Sequence, residues 1–279
     1  MPARFPDRTV ATAEAKLSSN APPSCQILVQ KAGGRAVWSL GSKYVLKDRF
    51  YYPCSEIEAR NTEYAAQIIR NPFAKMIASW TEGDRYLTIQ ERLDGEPLED
   101  VHSKLTQGDL ARIGQQVGLY VLKLRTENFT EMRMLDGRPV IDRRLFKPAP
   151  GVSYAVCTTE KDVAMNLSLA IAGRIDHSLL QGFMAKMPPA MPFKFSHSDL
   201  HEGNIMVKDG NFVGLIDWEL AGIYPSWWEF VNSCELLSDH LPAELQDQNA
   251  LAWFRIYHAL RELPSDDRLT ATVNEYLSR

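Results

Sequence analysis

The sequence predicts an α+β protein in two lobes, a sheet-rich one followed by a larger, mainly helical one. Short β-rich runs punctuated by glycines crowd residues 25–93. From residue 105 the apolar spacing changes to a helical repeat. At 279 residues the chain is long enough to bury a substantial core in this arrangement.

The elements follow in order. Residues 1–24 lack the apolar stretch of a signal peptide and read as an N-terminal extension, partly helical around Ala11–Leu17. "CQILVQ" (25–30), "RAVWSL" (35–40) and "KYVLK" (43–47) read as an antiparallel meander, with Gly33-Gly34 and Gly41-Ser42 at its turns. "SEIEARNTEYAAQIIR" (55–70) reads as a helix, with Ser55 as N-cap and Glu58 completing a capping box. "AKMIASWTEGDRYLTIQERL" (74–93) adds two strands around a Glu-Gly-Asp turn, giving a five-stranded sheet plus one helix. A short connector near residues 91–96 leads to the second lobe, residues 94–279. There "LTQGDLARIGQQVGLYVLKLR" (105–125) has apolar residues at 110, 113, 117, 120, 121 and 124, and Thr106 with Asp109 gives a second capping signal. Residues 126–160 are loop-rich, with Pro139, Pro148 and Pro150, and residues 161–186 read as helical. Residues 194–220 alternate strand and loop around an Asp209-Gly210 hairpin turn. From Ser226 the chain reads as mainly helical, with Trp227, Phe230, Val231 and Cys234 along one face.

Composition excludes several classes. A net charge of −4 provides no basic field to recruit nucleic acid or an anionic membrane. No window approaches 18 consecutive apolar residues, so no membrane span is expected. The four cysteines, at 25, 54, 157 and 234, fall at no metal-ligand spacing and read as reduced thiols, which points to the cytoplasm.

The chemistry concentrates in "HSDLHEGNIMV" (197–207) and "GLIDWE" (214–219). Asn204 follows Asp199 after four residues, and Asp217 comes thirteen residues later. The Asp209-Gly210 hairpin brings the strand before Asp217 beside the strand after Asn204. Asn204 and Asp217 then suit a divalent cation through hard oxygen ligands, as Mg²⁺ prefers. Asp199 stays available to accept a proton from a hydroxyl, the division of labour phosphoryl transfer needs. His197 and His201 have the i, i+4 spacing of a helical metal site, but Gly203 and the strand after it argue against a helix there.

These motifs resemble the catalytic loop and metal-binding motif of the aminoglycoside phosphotransferase and choline kinase family, small-molecule kinases with a protein-kinase-like bilobal fold. "AGIYPSWWEF" (221–230) and "RYLTIQERLDGEPLEDV" (85–101) resemble segments of its fungal-type members. The resemblance spans roughly residues 33–236. It implies a nucleotide-binding N-lobe (25–93) and a catalytic, acceptor-binding C-lobe (94–279). Asp199 would be the catalytic base, and Asn204 and Asp217 the Mg²⁺ ligands. Lys47 would reach the phosphates of ATP and Glu58 would hold Lys47, with Glu56 and Glu63 as rivals on the same helix. Backbone groups at Gln90, Glu91 and Leu93 would bind the adenine edge. The phosphate-covering loop would be residues 32–35, with Gly33 and Gly34 but without G-x-G-x-x-G; a hairpin turn is the simpler reading of the pair.

The acceptor would be an aminoglycoside-, choline- or secondary-metabolite-like alcohol. Trp218, Trp227 and Trp228 read either as an aromatic cage for a cationic substrate or as core, and Glu219, Glu229 and Glu235 would supply charge toward an amine. His197 reads as an organiser of its loop, and His201 as a solvated or substrate-edge residue. A catalytically silent nucleotide-binding regulator is the alternative from another class. Protein kinase activity fits less well, because "DFG" and "APE" are missing and little chain separates Asp217 from "YPSWWEF". Oligomeric state is not legible in the sequence.

Overall fold

The computed structural model of the chain describes residues 25–31, 34–52, 55–69, 74–140, 142–146, 154–264 and 266–278. The first strands are β1 (Cys25–Lys31), β2 (Arg35–Leu40) and β3 (Tyr44–Phe50), the expected meander. Helix α1 (Ile57–Ile68) follows, then β4 (Met76–Glu82) and β5 (Arg85–Glu91). They form one antiparallel sheet in the order β1-β2-β3-β5-β4. The two-residue alternation of a strand sorts its faces. Tyr86, Thr88 and Gln90 of β5 are buried, while Leu87 and Ile89 are half-buried on the outer face. Lys47 pairs with Thr88 in the register of β3 against β5, so it shares the inner face.

One local expectation changes, and one glycine takes the simpler of its two readings. The Ser55–Glu58 capping box does not form: Ser55 Oγ instead accepts from the N–H of Tyr52 at 2.8 Å, and the N-cap position falls to Glu56 without a side-chain bond. Glu58 turns inward because two cations, the buried Lys47 and the half-buried Arg49, draw a carboxylate more strongly than one backbone N–H does. Gly34 has φ of +78°, and a Cβ there would come within 2.5 Å of the Phe50 ring. Its first role is therefore the β1–β2 turn, where its carbonyl also accepts from Arg85.

Past the sheet come β6 (Glu96–Pro97), α2 (Leu98–Val101) and α3 (Gln107–Leu124). α3 starts at the predicted Thr106–Asp109 capping box, and every predicted apolar position, from Leu110 to Leu124, is buried. The helical stretch expected over 161–186 is two helices, α4 (Glu160–Ala170) and α5 (His177–Ala185). Gly173, at φ +73°, makes the turn that separates them. Next are β7 (Lys194–Ser196), β8 (Ile205–Lys208), β9 (Asn211–Leu215) and β10 (Gly222–Tyr224). β8 and β9 form the predicted hairpin, with β6 on its other edge. Asp209 and Gly210 both take positive φ, as a type I′ turn demands.

The chain ends in α6 (Trp228–Val231), α7 (Glu235–Ser238), α8 (Gln248–Glu262) and α9 (Asp267–Leu277). Trp218, Trp227, Trp228 and Trp253 are all buried in one hydrophobic core. The tryptophans are therefore packing, and the aromatic cage gives way to the core reading. Cys25, Cys157 and Cys234 are free thiols, and Cys54 lies outside the described residues. Among the described residues no helix is long and apolar enough to cross a membrane.

Candidate active site

β7 delivers the chain into the loop 197–204, whose first residues are held from below. Ser198 takes φ of 66°, a geometry that costs a non-glycine residue roughly 1–2 kcal/mol. Its surroundings over-determine it. The N–H groups of His197 and Ser198 donate to the buried Glu229 carboxylate at 2.7 and 3.2 Å. Ser198 Oγ donates to Asp142 at 2.8 Å and accepts from Trp228 Nε1 at 2.7 Å, while the Ser198 carbonyl accepts from Asn232 at 2.6 Å. Glu229 is thus spent on the loop backbone, which corrects its assignment as a counter-charge for an amine acceptor.

The partners of His197 fix its tautomer. Nε2 lies 3.0 Å from the Ile216 carbonyl and must donate; Nδ1 accepts from the Asp199 N–H at 3.3 Å. Burial lowers its pKa, so the ring is a neutral spacer that ties this loop to the end of β9. His201 accepts at Nδ1 from the Gly203 N–H at 3.0 Å, which leaves Nε2 3.5 Å from Asp199 Oδ2. Both ring nitrogens of His197 are thus engaged by backbone groups, and Nδ1 of His201 by the Gly203 N–H.

Asp199 is held on both oxygens. Oδ1 accepts from Arg144 Nη1 and Oδ2 from Asn204 Nδ2, each at 2.9 Å. Burial would raise its pKa, but the His201 bond and the Arg144 charge bring it down to about 2. Arg144 is itself positioned by Asp142, whose Oδ1 accepts from its Nε at 3.0 Å. Both come from the segment in which the sequence carried no motif.

Across the cleft, Lys47 bonds the fully buried Glu58 and reaches Asp217 Oδ1 at 3.3 Å. Gln90 Nε2 also donates to Glu58, at 3.1 Å, and Arg49 lies 3.2 Å from its other oxygen. Burial would push the Glu58 carboxyl up, but Lys47 and Arg49 outweigh it and hold the carboxyl below its ordinary value. Burial likewise opposes ionisation at Asp217, and the charges of Lys47 and Arg35 reverse it. Asp217 stands in left-handed backbone, φ 68° and ψ 66°. Glu56 is exposed, so Glu58 is the acid of α1 that meets Lys47.

The two halves of the site meet at Ile216. Its N–H donates to the Asn204 carbonyl at 3.0 Å and its carbonyl accepts from His197, so Asp217 emerges beside the Asn204 loop as the hairpin predicted. For a divalent cation the donor chemistry fits. Asn204 Nδ2 is committed to Asp199, which turns the amide oxygen into the available ligand atom. Oxygens of Glu58, Asp217 and Glu219 also lie within 4.8 Å of one another. Arg35, a residue the sequence did not single out, reaches Asp217 Oδ2 at 2.8 Å and Glu219 Oε1 at 3.2 Å.

A separate apolar cluster of Ala74, Leu93 and Met206, with Val213 and Ile216 packed against it, joins the ends of the sheet strands to the β8–β9 hairpin. At the predicted hinge the N–H of Glu91 donates to the Lys75 carbonyl at 2.9 Å, while no backbone carbonyl among the described residues engages the N–H of Leu93. Gly33 lies outside the described residues.

The family model for the phosphotransferase enzyme family matches residues 41–263. Among solved structures, the chain is similar to the aminoglycoside phosphotransferase APH(4)-Ia, with TM-score 0.56 at 15% identity over 92% of this chain and 91% of that one. It is similar to the streptomycin–ATP complex of APH(2")-IIa, with TM-score 0.54 at 12% identity over 91% and 90%. It is also similar to ADP-bound APH(2'')-Ib, with TM-score 0.52 at 12% identity over 91% of each chain. At such identities the likeness shows the fold, a protein-kinase-like one. None of the curated proteins matches the sequence.

Proposed function

Since the chain belongs to the phosphotransferase enzyme family, and with it to the small-molecule kinases, we propose that it transfers the γ-phosphoryl group of Mg-ATP to a hydroxyl of a small molecule. In this reading residues 25–93 bind the nucleotide and residues 94–279 carry the catalytic and acceptor-binding groups. The adenine lies against Ala74, Leu93, Met206 and Ile216, with the Leu93 N–H and the Glu91 carbonyl at its edge. Lys47, fixed by Glu58, holds the phosphates. Asn204 and Asp217 hold Mg²⁺, which when bound offsets charge on the phosphate oxygens.

Asp199 orients the acceptor hydroxyl and takes its proton. With a pKa of about 2 it is ionised throughout the working range and is a weak base, so alignment is its main contribution and proton transfer comes late. Arg144 and Asn204 fix both of its oxygens, which limits it to one direction of approach. The acceptor is an aminoglycoside-, choline- or secondary-metabolite-like alcohol.

The observation that carries this reading is the meeting at Ile216 of the Asp199–Asn204 pair with the Lys47–Glu58–Asp217 group. The test is transfer from γ-labelled ATP to a panel of hydroxyl-bearing metabolites. Asp199→Asn is expected to lower turnover by roughly two orders of magnitude or more while Mg-nucleotide still binds. Undiminished transfer by both Asp199→Asn and Asp217→Asn would remove the assignment.

A further inference from the structure

Six charged side chains form one cluster in the cleft. Arg35, Lys47 and Arg49 come from β2 and β3; Glu58, Asp217 and Glu219 come from α1 and from the turn after β9. Three positive and three negative charges cancel. The cations are not equivalent. Lys47 and Arg49 each touch Glu58, on their own side of the cleft, as well as an acid across it. Arg35 touches acids across the cleft alone, Asp217 at 2.8 Å and Glu219 at 3.2 Å. Its side chain is also the most exposed of the three, at 27% against 10% and 14%.

Its backbone is pinned. Arg35 opens β2 directly after Gly34, whose carbonyl is bonded by Arg85 and whose Cα lies against Phe50. A guanidinium is therefore mounted at the base of the loop expected to cover phosphates, a loop that has Gly33-Gly34 but not the G-x-G-x-x-G spacing that usually lets backbone N–H groups do so.

We propose that Arg35 is a triphosphate-binding residue, exchanging Asp217 and Glu219 for the phosphate oxygens when a metal–nucleotide complex enters. The inference rests on the nucleotide reading above. A divalent cation at Asp217 competes for the oxygen that Arg35 now bonds. A guanidinium released inside a half-buried cleft is costly unless another anion meets it. The triphosphate is the anion that enters with the metal, and its paired oxygens match the guanidinium fork. The sign of the entering charge gives the same order: a divalent cation alone adds positive charge beside Arg35 and expels it uncompensated, whereas the metal–triphosphate complex is net negative and attracts it. Arg35 thus does by side chain what a glycine-rich loop does by backbone, and it makes metal binding depend on the nucleotide.

The test is calorimetric titration of wild type and Arg35→Gln with adenosine, with Mg²⁺–AMP-PNP and with Mn²⁺ alone. The variant is expected to bind Mg²⁺–AMP-PNP about tenfold or more weakly, the size of a charge-assisted bond lost. Adenosine affinity is expected to be unchanged, and Mn²⁺ alone is expected to bind more tightly. Unchanged or tighter Mg²⁺–AMP-PNP binding overturns the proposal, as does an equal loss for adenosine, which means damage to the cleft as a whole, or Mn²⁺ binding that does not tighten. If wild type binds neither adenosine nor Mg²⁺–AMP-PNP, the kinase reading fails along with it.

Discussion

His197 shows how one side chain can be structural inside a proposed catalytic motif. Both ring nitrogens are satisfied only in the neutral form, and a second proton on Nδ1 would face the N–H of Asp199. Its folded-state pKa therefore lies below the ordinary 6.5. On acidification the unfolded chain takes up the proton first. The stabilisation is complete above about pH 6.5 and is lost as pH falls toward the folded value. Replacing the ring by Gln removes this linkage. Thermal unfolding from about pH 7.5 to about pH 5.5 is expected to show a smaller loss of midpoint in His197→Gln than in wild type. Equal losses in the two proteins contradict a buried neutral ring. Arg144 is the reverse case, a residue without a motif whose guanidinium touches the Asp199 carboxylate. No local pattern announces it, because its partner Asp199 lies 55 positions away.

At the scale of elements, much was legible. The meander, the α3 stripe and the β8–β9 turn each carry a local rule of spacing or turn chemistry, and each formed where that rule put it. The helix at 55–70 was legible as a helix but not in its start. A capping box and an ion-pairing glutamate put the same residue type at the same place, and only the distant Lys47 decides between them. Arg35, Arg49 and Glu229 were missed or misassigned for that reason: their roles are set by partners far along the chain. The decision at Glu58 has a consequence. Glu58→Gln keeps the side chain's shape but leaves Lys47 and Arg49 short of a buried counter-charge, and breaking a buried pair costs roughly 3 kcal/mol or more. Denaturant unfolding is expected to lose about that much, with weaker Mg-nucleotide binding alongside. A loss under about 1 kcal/mol, with binding intact, means that Asp217 and Glu219 alone suffice to hold the two cations.

Across the whole molecule, α1 joins the sheet to the helical lobe, alongside the Ala74–Leu93–Met206 cluster and the charged cluster. Asn61, fully buried and one turn beyond Glu58, donates to the carbonyls of Trp218 at 2.8 Å and Ala221 at 2.7 Å. These carbonyls bracket the turn that carries Glu219, directly after Asp217. The same helix thus meets Lys47 through Glu58 and the turn after Asp217 through Asn61, so the two sides of the cleft share one rigid part. Leu is close to Asn in shape and cannot donate. Asn61→Leu therefore takes the donor from the buried Ala221 carbonyl and one of two donors from that of Trp218, which keeps the Ala221 N–H, a loss of about 1–3 kcal/mol. Wild type is expected to unfold in one step, because the sheet cannot leave without breaking these bonds. Trp218, Trp227, Trp228 and Trp253 report on the helical lobe, and Trp38 and Trp80 belong to the sheet. In Asn61→Leu, far-UV circular dichroism is expected to begin its transition several degrees below tryptophan fluorescence, which the four core tryptophans dominate. Coincident transitions at the wild-type midpoint would show that the charged cluster and the Ala74–Leu93–Met206 cluster suffice to couple the lobes, and that Asn61 serves only its own helix.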